Sequence, residues 1–228
     1  MNPQELRQSD HSVTHAINAA GYNAPSRVDE SVPLGMTPTR FRSGARGEQI
    51  RFAAATCSLG HALAARTSRG LCWLAFGDSP DPLLADLRRQ FSAAELIPDN
   101  EMLANLRSIL AAIDRTESSA GPAAAPALDL PHNLPHNLPL DLRGTAFQLR
   151  VWSALQQIPS GQTRSYSQLA QQLGNPKATR AVASACAANR VALFVPCHRV
   201  VGASGQLTGY RWGTERKRRL LAAEATRA

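Results

Sequence analysis

Of the side chains able to act as nucleophiles near neutral pH, the cysteines come first, and Cys197 is followed directly by His198 in the run Pro196-Cys197-His198-Arg199. A thiol becomes a usable nucleophile when a neighbouring base or positive field lowers its pKa from about 8.5, which is what a Cys–His pair supplies. Adjacency alone does not make such a pair. Consecutive side chains in an extended segment point apart, and a cysteine after the apolar run VALFV (191–195) also fits plain core packing. A working pair needs a third group to orient the imidazole. Glu224 in the last helix or Asn189 ahead of the apolar run could each supply it.

Other candidates are weaker. Cys57, Cys72 and Cys186 form no CxxC pair and no disulfide-like spacing with Cys197, so all four cysteines are expected as thiols. His132 and His136 stand four apart, but Pro135 breaks the helix that would aim them together, and they read as exposed loop residues. No metal and no cofactor are expected. The stretch PKATRAVASACAAN (176–189) has a wall of small residues, Ala181 among them, which suits close approach to a neighbouring helix or a sugar-phosphate surface, or simply reflects helix propensity. Arg180 is the lone long cation on that helix. Such a side chain can enter a groove and fill the hole left by an extruded base.

The elements that must position these residues follow from caps and periodicity. Thr145 with Gln148 and Ser165 with Gln168 read as capping boxes, opening helices that stop at Pro159-Ser-Gly161 and at Gly174. Asn175 is expected to cap, and Pro176 to start, the helix that carries Arg180, so that two helices joined by Gly-Asn-Pro make a helix-turn-helix. The run 191–195 is expected as a buried strand leading to Cys197, and the basic segment TERKRRLLAAEA as a final capped helix.

Upstream, QIRFAAATC, HALAART and LCWLAFG are separated by Ser58-Leu59-Gly60 and Ser68-Arg69-Gly70, predicting a small antiparallel meander over 49–77. Asp81-Pro82 opens a helix to about Phe91, and Asp99-Asn100 caps another through Ile113. Residues 11–42 read as two short helices around Gly21-Tyr22-Asn23, and the Pro- and Ala-rich 115–139, with its LPHN duplication, as a surface linker.

The 228 residues, 43% of them hydrophobic, can bury a sizeable core. A net charge of +8 with pI near 10.2 suits a polyanionic partner, nucleic acid first. No window approaches the roughly 18 consecutive apolar residues of a membrane span, and the N-terminus has no apolar signal stretch, so a cytoplasmic protein is expected.

The wording RAVASACAAN, VPCHRVVG and GYRWG, within Leu140–Glu224, resembles the catalytic domain of O6-alkylguanine-DNA alkyltransferases, closest to the C-terminal half of the Ada type. Residues 49–114 resemble that family's N-terminal cover. AINAAGYN, SRVDE and LGMTPTRFR resemble the second helix-turn-helix of the AraC-type module of Ada proteins, implying an N-terminally shortened relative. The resemblance implies a mixed α/β architecture: a remnant over 1–46, a ribonuclease H-like cover over 47–114, the linker 115–139, and a mostly helical, winged-helix-like catalytic domain over 140–228.

It also implies roles. Cys197 would take an alkyl group from O6-alkylguanine in duplex DNA, once per molecule. His198 would act through a water, Glu224 would hold the imidazole to give thiolate character, and Asn189 would bridge the recognition helix to the active-site loop. Arg180 would replace the flipped base beside Ala181, and Tyr166 would press on the phosphate and offer its hydroxyl to guanine N3. Val200, Tyr210 and Arg211 would meet the base. The implied protein is a monomer; an Ada-type regulator or a lesion-binding protein that does not repair are the alternatives. A thiolate suits displacement at an alkyl carbon, and the thioether formed offers no route to hydrolysis.

Overall fold

The computed structural model describes residues 44–118 and 139–225. The expected helix pair over 11–42, and His132 and His136 of the linker, lie outside the described residues.

The first half is a sheet backed by two helices. Strands β1 (Gln49–Cys57), β2 (Gly60–Thr67) and β3 (Gly70–Gly77) form the expected antiparallel meander, with Cys57 opposite Gly60 and Thr67 opposite Gly70. Gly60 and Gly70 take positive φ at the two tight turns. The sheet as a whole corrects the antiparallel expectation. A fourth strand, β4 (Glu95–Pro98), pairs parallel to β1 from Gln49↔Glu95 to Phe52↔Pro98, giving a mixed sheet of order β3-β2-β1-β4. Four residues ending in proline carry no alternation to read, and their partner strand lies more than 40 positions away, so local sequence could not announce them.

Helix α1 (Pro80–Gln90) starts behind Ser79 with a proline in its first turn and ends in Arg88 and Arg89, matching charge to the helix dipole at both ends. Helix α2 (Asn100–Ser118) is capped by Asp99, whose Oδ1 accepts from the Glu101 and Met102 N–H groups at 2.9 and 3.2 Å. It runs past Ile113 into the segment expected as linker.

The outer edge of β3 is closed by the second half of the chain. Leu71 N–H donates to Pro139 O at 2.7 Å and Asp141 N–H to Leu71 O at 2.9 Å. Further along, Leu74 exchanges bonds with the Arg190 carbonyl (2.9 Å) and the Ala192 N–H (2.8 Å). A Cβ at Gly70 would run into the Pro139 carbonyl, so this close approach needs glycine there. Covering an edge strand satisfies its backbone groups, and here it also locks the segment before Cys197 onto the sheet.

In the second half, α3 (Ala146–Gln156) and α4 (Tyr166–Gln172) begin at complete capping boxes on Thr145/Gln148 and Ser165/Gln168. The helix expected from Pro176 is shorter than read. Residues Pro176–Ala178 form a 3-10 turn closed by Ala178 N–H to Asn175 O at 2.9 Å, the Asn175 side chain gives no cap, and α5 spans Thr179–Ala187. Trp152 Nε1 donates to Ala185 O at 2.9 Å and ties α5 to α3.

The expected strand at 191–195 is a second correction. Val191 makes one bridge to Leu74, and the chain then turns, with Leu193 at φ 68° and Val195 N–H bonded to Val191 O at 3.1 Å. Apolar content reported burial correctly but could not separate a strand from a buried turn. A 3-10 turn (Cys197–Arg199), the pair β5 (Arg164–Ser165) and β6 (Val200–Val201), and α6 (Thr214–Ala225) complete the fold. Buried residues of both halves belong to one continuous core, from Ile50 and Trp73 to Trp152, Val182 and Leu220.

Candidate active site

Cys197 sits in the first position of a 3-10 turn that follows the buried turn around Leu193. Its N–H bonds Val195 O at 2.7 Å, and its Sγ accepts from Asn189 Nδ2 at 3.1 Å. Asn189 is itself fully engaged: Nδ2 also donates to Val195 O (2.8 Å) and Oδ1 accepts from Val191 N–H (2.9 Å). Lying just beyond the end of α5, it links that helix to the cysteine loop. Burial pushes the Cys197 thiol up to about 11, against the smaller downward pull of the Asn189 bond and of Lys217. Burial thus favours the neutral thiol in the free protein, and the bond from Asn189 and the charge of Lys217 favour the thiolate.

The orientation of His198 is settled by a partner 26 residues away. Its Nε2 lies 2.9 Å from Glu224 Oε1, both side chains fully buried. Glu224 also accepts from Arg199 Nε (3.0 Å) and Nη2 (2.9 Å) and from Gly161 N–H (3.3 Å). Burial alone would raise the Glu224 pKa, but the bonds from His198 and Arg199 outweigh it and hold the carboxyl at about 2. Burial moves His198 the other way, below its ordinary value, so the ring is neutral at pH 7. An ionised Glu224 can only accept, so the imidazole proton resides on Nε2 and Nδ1 keeps its lone pair. His198 Nδ1 is buried with no hydrogen-bond partner among the described residues. Of the two orienting groups left open by sequence, Glu224 holds the imidazole and Asn189 holds the thiol.

A cleft of about 530 Å³ opens over the sulfur, walled by Tyr166, Cys186, Cys197, Thr208, Tyr210 and Arg211. Tyr166 stands in the first turn of α4, its oxygen accepting from Thr208 Oγ1 at 3.1 Å. Tyr210 stacks edge-on against Trp212 at 5.1 Å. Arg211 reaches across to donate to Ala187 O at 3.1 Å. Sequence thus named four residues that share one cavity: Tyr166, Cys197, Tyr210 and Arg211. Val200 does not wall it; its N–H donates to Cys197 O and its carbonyl accepts from Lys217. Arg180 and Ala181 are exposed on the first turn of α5, away from the cleft lining.

Three participants escaped the sequence reading. Arg199, buried, fixes Glu224 and donates to Ile158 O at 2.5 Å. Lys217, also fully buried, donates to Val200 O at 2.5 Å and Thr208 O at 3.0 Å. Thr208 is the third. A signal existed for Lys217: it shares with Leu220 and Glu224 the i, i+3, i+7 stripe that buries a helix face, although α6 reads as merely basic. Among the described residues, no group of three or more His, Cys, Asp or Glu side chains converges as a metal site, and no helix is long and apolar enough to cross a membrane.

Residues 146–226 match the family described as 6-O-methylguanine DNA methyltransferase, DNA binding domain. The chain is 43% identical over 230 residues to the bifunctional transcriptional activator/DNA repair enzyme Ada of Escherichia coli, a match covering 97% of this chain and 60% of that protein. The crystal structure of the Mycobacterium tuberculosis O6-methylguanine methyltransferase is similar at 36% identity and a TM-score of 0.60, over 78% of this chain and 94% of that one. The structure of M. tuberculosis OGT in complex with DNA matches at 36% identity and a TM-score of 0.57, over 79% and 94%.

Proposed function

The chain belongs to the 6-O-methylguanine DNA methyltransferase family, and on that premise we propose that it repairs duplex DNA by moving the alkyl group of O6-alkylguanine onto Cys197, once per molecule. The observation that carries the proposal is a buried thiol facing a cleft, beside a neutral imidazole whose bare Nδ1 is set by Glu224. His198 takes the thiol proton through one water. The thiolate then attacks the alkyl carbon, the carbon–oxygen bond breaks, and the electron pair leaves on guanine O6. Tyr166 offers its proton at N3 as charge develops in the ring, and His198 gives up the thiol proton through water to the phenolate, so that base and protein both end neutral. The thioether on Cys197 is inert, so the reaction ends there. No cofactor enters.

The target base reaches the cleft by leaving the stack. Arg180 and the small-residue face around Ala181 suit the minor groove, with Arg180 filling the vacated space. Tyr210 and Arg211, which wall the cleft, then contact the extruded base, while Val200 acts behind it by holding the Cys197 turn. In this reading 47–114 is a ribonuclease H-like cover, 140–228 a winged-helix-like catalytic domain joined through 115–139, and 1–46 an AraC-type remnant. The working unit is a cytoplasmic monomer. A second reading, a transcriptional regulator, draws support from similarity to Ada running over 97% of the chain; sequence-selective footprinting would reveal it. Repair itself is tested by nucleoside analysis of an O6-methylguanine duplex held in excess over protein. Loss of lesion should plateau at one per protein molecule, whereas no loss, or loss continuing past that point, would contradict the proposal.

A further inference from the structure

We propose that Thr208 is a positioning residue for this chemistry: its hydroxyl donates to the Tyr166 oxygen and so leaves the Tyr166 proton directed into the cleft that holds Cys197. The inference rests on the alkyl-transfer reading of the site. A phenol has one proton, and when its oxygen accepts from Thr208 Oγ1 at 3.1 Å that proton must point elsewhere. Both side chains wall the cleft, so the open direction for the proton includes the space where a base would lie. A hydroxyl that accepts one hydrogen bond also becomes a better donor of the next, because polarisation runs along the chain of bonds. Burial keeps Tyr166 protonated at neutral pH.

Thr208 can do this only if its own backbone is fixed. It lies in a segment without regular structure between β6 and α6. Its carbonyl accepts from Lys217 Nζ at 3.0 Å, and the same ammonium holds the Val200 carbonyl at 2.5 Å. Lys217 is fully buried on α6, three residues before Leu220. A rigid helix therefore pins the loop, and the loop aims the hydroxyl. The chain of contact runs from Lys217 to Thr208 to Tyr166, separate from the one that runs from Glu224 to His198.

The test is the single-turnover rate of methyl transfer from an O6-methylguanine duplex for wild type, Thr208→Val, Thr208→Ser, Tyr166→Phe and the Tyr166→Phe/Thr208→Val double variant. Valine keeps the branched shape and removes only the hydroxyl. It should slow transfer about fivefold, the scale of one neutral hydrogen bond, with duplex affinity unchanged. Serine should restore the rate to within about twofold, and valine should cost less than about twofold once Tyr166 is phenylalanine. A valine variant within about twofold of wild type overturns the inference, as does a fivefold loss that persists in the phenylalanine background. Wild type that transfers no methyl would remove the alkyl-transfer reading and this inference together; wild type that transfers while valine has no effect removes this inference alone. Should valine fail to fold, Thr208→Ala against Thr208→Ser gives the same comparison.

Discussion

Replacing Glu224 by glutamine should uncouple stability from acid in a measurable way. Glu224 is fully buried and accepts from His198, from two nitrogens of Arg199 and from the Gly161 N–H. Its carboxyl falls from 4.5 to about 2 in the folded protein. A depression of that size corresponds to about 3 kcal/mol of folding stability at neutral pH. Because His198 is neutral there, its share is a hydrogen bond rather than a charge pair, and about 2 kcal/mol is the expected remainder. Glutamine also leaves Arg199 buried without its counter-charge, which adds to the loss. The sign is fixed by the depressed pKa: the contribution is complete above about pH 4.5 and disappears as pH falls toward 2. Urea unfolding should show Glu224→Gln at least about 2 kcal/mol less stable at pH 7.5, with most of the gap gone by pH 3. A gap below about 1 kcal/mol at pH 7.5, or one that stays constant down to pH 3, would refute the reasoning.

Three further outcomes follow from the same contacts. Asn189→Ala leaves the Val191 N–H unpaired in the core and takes one of two donors from the Val195 carbonyl, which keeps the Cys197 N–H, and should cost about 2 kcal/mol in denaturant unfolding. At alkaline pH, Cys72 and Cys186 are held up at about 12 and Cys197 at about 11 by burial. A raised folded pKa gives stability that is whole below the unfolded value near 9 and lost as pH climbs through the folded one, so unfolding at pH 10 should show about 1 kcal/mol lost per thiol, and Cys72→Ala should show a smaller drop. Arg180→Ala should leave the thermal midpoint unchanged, because the side chain is exposed. It should still slow methyl transfer at least about tenfold from duplex DNA, yet little from free O6-methylguanine base.

How far these relations could be read from sequence depended on whether both partners lay close together. The Thr145/Gln148 and Ser165/Gln168 boxes were legible because each is a local exchange three residues long. The meander was legible because its turns carry glycine where positive φ is required. Strand β4 was not, since its pairing with β1 is distant and parallel. The stretch 191–195 shows the limit of composition: five apolar residues, four of them buried, look the same whether they extend or turn. At the site, the Cys-His neighbours and the small-residue helix were visible. The division of labour between Asn189 and Glu224 was not, because it depends on where α6 lies against the 3-10 turn. Arg199 hid among many basic residues, and Lys217 was marked only by its place on the stripe with Leu220 and Glu224.

Cys197 is the proposed acceptor of the alkyl group. Intact-protein mass after incubation with a duplex carrying one O6-methylguanine, wild type beside Cys197→Ala, tests it directly. Wild type alone should gain one methyl, mapping to the peptide that contains Cys197. A methyl on Cys186, on any other residue, or on none would contradict it.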